Sequence, residues 1–147
     1  MKKVYLSVPM KGRTKENIEK SLRKMREYTR IALGEDVEFI NTEVKEQAPK
    51  GANEAVWCLG QSISLMSHAD ILVCVDAPYW IQSKGCAVEK RVFQDYINHY
   101  NDNDDIRYIE LPAYLIIDPN EWKELYDNYT EEEKRMNENP VRSCCSR

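Results

Sequence analysis

Long apolar runs are missing from this sequence. None reaches the ~18–20 residues that a membrane-spanning helix needs, so no membrane span is expected. Histidine is scarce: only His68 and His99 occur, and a His-based metal site is not expected. Cysteine is present in odd number, as Cys58, Cys74, Cys86, Cys144 and Cys145, without metal-ligand spacing apart from the vicinal pair near the end. Reduced thiols in a cytoplasmic protein are the expectation, with no metal and no cofactor. A basic surface is missing as well. The net charge of -4 argues against a nucleic-acid polymer as partner, though not against a small anion held by a few local donors.

What is there suits one soluble domain. The 147 residues are 42% hydrophobic and 31% charged, enough for a core without staples. Met1 to Leu6 has the cation-then-apolar order of a signal peptide. The run stops at Pro9 and is followed by Lys11 and Arg13, so a short buried strand is the better reading. Residues 3 to 8 form that strand. Thr14 opens a helix over 14 to 33, with Ile18, Leu22, Met25, Tyr28 and Ala32 near helical spacing and Gly34 as its stop. A short strand at 36 to 40 and a polar loop over 42 to 53 follow. A second helix covers 53 to 68, capped by Asn53, with Val56, Leu59, Ile63 and Met66 on one face. Residues 70 to 76 are apolar on both faces, as central parallel strands are.

A third helix runs from near Gly85 to about Tyr100, with Val88, Val92, Tyr96 and Tyr100 as its stripe, and Asn101 to Asp105 is a solvated turn. Residues 107 to 117 hold one long or two short strands broken at Pro112. Residues 119 to 127 form a short helix, and 130 to 138 another. The domain spans 1–138, and 139–147 are expected to be a mobile tail. Strands alternating with helices imply one α/β domain with a mostly parallel sheet. Ligands in such folds bind beyond the carboxyl ends of the strands.

Three places fall there, Ser7 to Arg13, Asp76 to Gly85 and the loop after Ile40, and two of those loops are unusual. The first, Ser7-Val8-Pro9-Met10-Lys11-Gly12-Arg13-Thr14, places small residues and cations before a helix, which suits a phosphate. A plain strand-to-helix turn with exposed charges fits the same residues. The second, Pro78 to Glu89, contains Gly85, which admits close backbone approach, and Glu89 in about the first turn of the next helix. The helix dipole would hold that carboxylate ionised, as a nucleophile requires. On pattern alone, a carboxylate placed only for helix stability is the simpler reading.

Val4-Tyr5-Leu6-Ser7-Val8-Pro9-Met10-Lys11-Gly12 resembles the first strand and turn of the nucleoside 2-deoxyribosyltransferase-like superfamily. The segment Ala69-Asp70-Ile71-Leu72-Val73, followed by Trp80, Ser83, Gly85 and Glu89, resembles the strand, loop and helix of the same small branch. The likeness covers about residues 3 to 97. It implies a three-layer, doubly wound sheet of flavodoxin or Rossmann type. It also implies cleavage of an N-glycosidic bond, with Glu89 as nucleophile through an oxocarbenium-like transition state and Tyr5 orienting it. Ser83 stands where transfer between free nucleosides goes with Asp and hydrolysis of 5′-monophosphates goes with Ser. A serine donates to a phosphate that an Asp would repel. Ser7, Pro9, Met10, Gly12, Arg13, Trp80, Ser83 and Gly85 are thus the expected substrate and phosphate contacts. A homo-oligomer, dimer or higher, is implied by the same likeness.

One position departs from that pattern. Where an Asp usually protonates the leaving base, this chain has Ser62, preceded by Gln61. Gln61 can contact a base, and Asp76 or Glu54 can supply an acid. Otherwise the leaving group needs little help, or the protein binds a nucleotide without turnover. A domain that keeps only the fold is a third reading. Asp70 reads as a strand-start turn residue, Trp57 as core, Cys86 as packing, Lys84 as a solvated loop residue and His68 as a helix end. Nothing is assigned to Cys144 and Cys145.

Overall fold

The computed structural model of the chain describes residues 1–43, 46–98 and 107–138. The expected turn at Asn101 to Asp105, the tail 139–147 and Tyr100 lie outside the described residues, as do His99, Cys144 and Cys145. Four strands, β1 (Lys2–Ser7), β2 (Val37–Phe39), β3 (Ile71–Asp76) and β4 (Arg107–Pro112), form one sheet in the order β2-β1-β3-β4. Every neighbouring pair is parallel. Successive crossovers run outward from β1 to β2 and from β3 to β4 in opposite directions. The sheet therefore has its switch point between β1 and β3, where such folds open a crevice.

The helices start where the sequence supplies a cap. Thr14 accepts from the Asn17 amide at 3.1 Å and opens α1 (Lys15–Leu33), which ends at Gly34 in the left-handed region (φ 64°). Asn53 accepts from the Val56 amide at 3.1 Å and opens α2 (Glu54–Met66). Ser83 does the same for Cys86 at 3.3 Å and opens α3 (Lys84–Val92), which continues as a π-helical segment, Phe93–Asn98. A one-turn helix, α4 (Ala113–Ile116), follows β4 directly, so only the part of 107 to 117 up to Pro112 is strand. The last element, α5 (Pro119–Glu138), is one helix rather than two. No Pro or Gly interrupts it after Pro119, and Thr130 turns its hydroxyl back to the Asp127 carbonyl at 2.9 Å instead of breaking the ladder.

Alternation along the strands divides the core. Val4, Leu6, Ile71, Val73 and Leu111 face α1, α4 and α5, packing on Leu22, Met25 and Ile116, with Trp122 half-buried beside them. Tyr5, Leu72 and Cys74 face α2 and α3, packing on Met66 and Phe93. Two helical stripes differ from expectation. Val56 on α2 is 67% exposed, and Val88 and Tyr96 are 38% and 66% exposed. The inward stripe of α3 is instead Cys86, Glu89 and Phe93. An apolar-periodicity reading passes over a face whose middle member is a carboxylate.

The structure corrects the expectation that Arg13 contacts phosphate. Its guanidinium is fully buried against Glu121, with Nε–Oε2 at 2.6 Å and Nη2–Oε1 at 2.7 Å. It also donates to the Pro9 carbonyl at 2.8 Å and to Ser21 Oγ at 2.6 Å, and Ser21 donates on to the Ile116 carbonyl at 3.2 Å. All three of its nitrogens thus have partners within the protein itself. Gly12, at φ 70°, makes the turn that brings Arg13 back under the loop. Glu121→Ala strands that buried guanidinium and should cost about 3–5 kcal/mol of stability. Replacing both partners together by apolar side chains (Arg13→Met with Glu121→Leu) should cost less than either single replacement. Urea unfolding of the single and double variants checks this, and equal losses for both would refute it.

Candidate active site

A cleft of about 390 Å³ opens at the carboxyl end of β1, between α2 and α3. β1 contributes Tyr5 and Ser7, which the strand's two-residue period puts on the same face. The turn after it contributes Met10. The start of α3 contributes Ser83, Gly85 and Cys86, and its second turn contributes Glu89. Four expected contacts, Ser7, Met10, Ser83 and Gly85, thus line one cavity together with Tyr5 and Glu89. Ser62 also lines it, from α2.

Glu89 is 7% exposed. Its Oε1 accepts from Ser7 Oγ at 3.3 Å. Its Oε2 is shielded from water and has no hydrogen-bond partner among the described residues. The Tyr5 hydroxyl lies beside the carboxylate and stabilises its charge without closing a hydrogen bond on Oε2. Burial pushes the Glu89 pKa up, and Tyr5 and Ser7 pull against that shift. Here the structure corrects the sequence-based expectation. Glu89 is the sixth residue of α3, and the first turn holds no acid. The dipole of a helix acts mainly within its first turn, so desolvation governs this carboxylate.

The neighbours are held neutral. Burial, then the Glu89 charge, pushes the Tyr5 phenol far above its usual range. Burial also pushes up Cys86, and Cys74 to about 12. Both thiols are in consequence weak acids and poor nucleophiles. Ser83 Oγ accepts the Cys86 amide, which leaves its own proton to donate. The amides of the first turn of α3 have no helical acceptor and also face this end of the sheet.

Other expected contacts lie elsewhere. Pro9 and Asp76 line a second, smaller pocket of about 240 Å³, which shares Ser7 and Cys86 with the first. Gln61 and Gly12 line neither. Trp80 packs edge-on against Trp122 and Tyr126 of α5, with centroids 5.2 and 5.3 Å apart, so it anchors that helix rather than stacking on a base. Asp70 accepts from the Lys3 amide at 2.9 Å, a structural bond that ties β1 to the start of β3. The second pocket carries residues that the sequence does not single out. Lys90 Nζ meets Glu110 Oε1 at 2.7 Å, and the Tyr108 hydroxyl donates to the same oxygen. Bonds from Lys90 and then Tyr108 hold the Glu110 pKa down. A register pairing of Cys74 with Glu110 creates this group, and no sequence motif marks it. No three His, Cys, Asp or Glu side chains among the described residues converge on a metal position.

The buried carboxylate has a measurable consequence. Its folded pKa is raised above the ordinary 4.5, so the folded protein holds that proton more tightly than the unfolded chain. Its contribution to stability is present below the unfolded pKa and is lost as pH rises through the folded one. Glu89→Gln removes this titration. The variant should melt a few degrees above the parent at about pH 8, and the gap should close toward about pH 4. Melting curves across that range test it, and a gap independent of pH would count against it.

Compared with protein-family models, curated proteins and solved structures, the chain matches none.

Proposed function

We propose that this protein cleaves the N-glycosidic bond of a nucleoside 5′-monophosphate or related nucleotide, by hydrolysis rather than transfer. The supporting observation is the convergence of Tyr5, Ser83 and Glu89 on one cleft at the switch point of a parallel sheet. The sequence likeness to the nucleoside 2-deoxyribosyltransferase-like superfamily, drawn from those same residues, leads to the same reading.

The geometry suits that chemistry. A phosphate at the start of α3 takes hydrogen bonds from the Ser83 hydroxyl and from the Lys84 and Gly85 amides. The sugar then lies along the cleft toward Glu89. The carboxylate attacks C1′ as the C1′–N bond breaks, giving a glycosyl ester, while the base departs with the electron pair of that bond and takes a proton from solvent. The oxocarbenium character of the transition state places positive charge beside a desolvated anion, where attraction is strongest. Water then attacks C1′, releases the sugar phosphate and a proton, and regenerates the carboxylate. Ser7 and Tyr5 hold the carboxylate in line. Catalysis gains because the charge attraction is larger in the transition state than with a neutral sugar.

A second reading is supported by Ser62, which lines the cleft where an acid would serve the leaving base. In that reading the protein captures a nucleotide without turnover. A nucleotide or nucleoside is the ligand in both readings, and a homo-oligomer belongs with both. Cys58, Cys74 and Cys86 are free thiols, in keeping with a reducing cytoplasmic setting. No helix among the described residues is long and apolar enough to cross a membrane.

The test is release of free base from a panel of ribo- and deoxyribonucleoside monophosphates, followed by chromatography. Glu89→Ala should lower the rate by roughly 10³-fold or more, since it removes the nucleophile. Tyr5→Phe should lower it by on the order of 10², the usual effect of losing one oriented donor. Ser83→Asp keeps a good helix cap but repels phosphate. It should move preference toward free nucleosides. Release that survives Glu89→Ala overturns the nucleophile assignment, and tight binding without release favours the second reading.

A further inference from the structure

The cleft is unbalanced in charge. Its ionisable lining residues are Tyr5, Cys58, Cys86 and Glu89. Tyr5 and Cys86 are kept protonated by burial, and Cys58 is a thiol rather than a carboxylic acid. Among the described residues Glu89 therefore brings the one charge on the lining, against walls that include Leu6, Val8 and Leu59. Of the nearby cations, Lys11 and Lys84 are exposed and do not line the cleft, and two others are engaged with carboxylates elsewhere. Arg13 is buried against Glu121, and Lys90, although next to Glu89 in sequence, reaches Glu110 at 2.7 Å. Neither Ser7 nor Tyr5 neutralises Glu89, and Oε2 has no partner among the described residues.

Among the described residues the same cleft has no second carboxylic acid to spare for a leaving group. Asp76 and Glu110 line the second pocket, and Glu110 is already bonded to Lys90 and Tyr108. A neutral purine or pyrimidine departs with the electron pair of the broken bond and needs a proton. A base that carries a positive charge while attached to the sugar needs none.

We propose that the substrate's base is a cation when glycosylated: a pyridinium-type ring or an N-alkylated purine. This inference rests on the N-glycosidic reading above. One property of the ligand meets both demands of the cleft. Its positive ring supplies the countercharge that Glu89 lacks and keeps the carboxylate ionised for attack. As the ester to C1′ forms, the electron pair of the C1′–N bond moves onto the ring nitrogen and cancels its charge, so the base leaves neutral. Water then cleaves the ester at C1′, its proton goes to solvent, and the carboxylate returns. Ser62 needs no acidic replacement in this sequence of steps.

Two measurements test it. The first is binding to the parent and to Glu89→Gln, by calorimetry, of two uncleavable ligands. One is carbocyclic nicotinamide mononucleotide, which carries the cation. The other is benzamide riboside 5′-monophosphate, its neutral carbon-linked counterpart. The parent should prefer the cation by about tenfold or more, from one partly desolvated charge pair, and Glu89→Gln should lose the preference. Equal affinities in the parent overturn the inference. The second measurement is base release from nicotinamide mononucleotide, adenosine 5′-monophosphate and 2′-deoxyadenosine 5′-monophosphate, each divided by its uncatalysed rate. Taken as kcat/KM over the uncatalysed rate, the acceleration should be about tenfold or more larger for the cation, because the division removes its leaving-group advantage and leaves the attraction to Glu89. Equal, Glu89-dependent accelerations overturn the inference and leave N-glycosidic cleavage standing. A cation preference in binding with no release from any substrate removes the enzyme reading and keeps the cation site. Absence of both binding and release removes both.

Discussion

Arg13 joins the first loop of the chain to its last helix. The bidentate pair with Glu121 is buried on both sides, and the same guanidinium holds the Pro9 carbonyl and Ser21. Such a pair is expensive to desolvate and is sustained by further hydrogen bonds, which Pro9 and Ser21 supply here. The consequence lies in the neighbouring residues. Pinning Pro9 from below sets the path of the chain as it leaves β1. That path puts Met10 on the rim of one pocket and Pro9 on the rim of the other. The site is therefore built on a loop that a buried ion pair ties to the body of the domain.

Glu89 presents the opposite electrostatic case. Arg13 and Glu121 share a buried place and neutralise each other, whereas Glu89 is buried with hydroxyls as its neighbours. Hydroxyls solvate a charge but do not cancel it. A group so placed raises its own pKa and destabilises the fold near neutral pH. Uncompensated charges of this kind concentrate where a ligand completes them. The inward stripe of α3, in which Cys86 and Phe93 flank Glu89 in the interior, shows how the helix is used. The apolar members pack it down, and the carboxylate is carried in with them.

The two pockets meet at Ser7 and Cys86 and divide the carboxyl edge of the sheet between them. One is an apolar-walled cleft around a lone carboxylate. The other is a polar group in which Lys90, Tyr108 and Glu110 satisfy one another. That internal pairing matters for the first pocket, because it draws Lys90 away from Glu89. Adjacent residues on α3 point to different sides of the helix, so a cation one position away in sequence does not relieve the acid.

Local rules account for what is legible in the sequence. Thr14, Asn53 and Ser83 cap helices through an amide three residues on, Gly34 stops one, and the apolar run at 71–75 is a central strand. The parallel α/β class follows from that alternation. The convergence of Tyr5, Ser7, Ser83 and Glu89 is legible as well, because strand ends and helix starts share one edge of such a sheet. Tertiary packing decided the rest. Glu121 lies 108 residues from Arg13, and Ser7 lies 82 residues from Glu89. A cation before a helix reads as an anion site until the partner that buries it is known. A carboxylate near a helix start reads as dipole-stabilised until its depth is known. Capping and periodicity act within a turn or two of chain, so the sequence alone determines them. Ion pairing and desolvation depend on which distant segments fold against one another, and only the tertiary structure determines those.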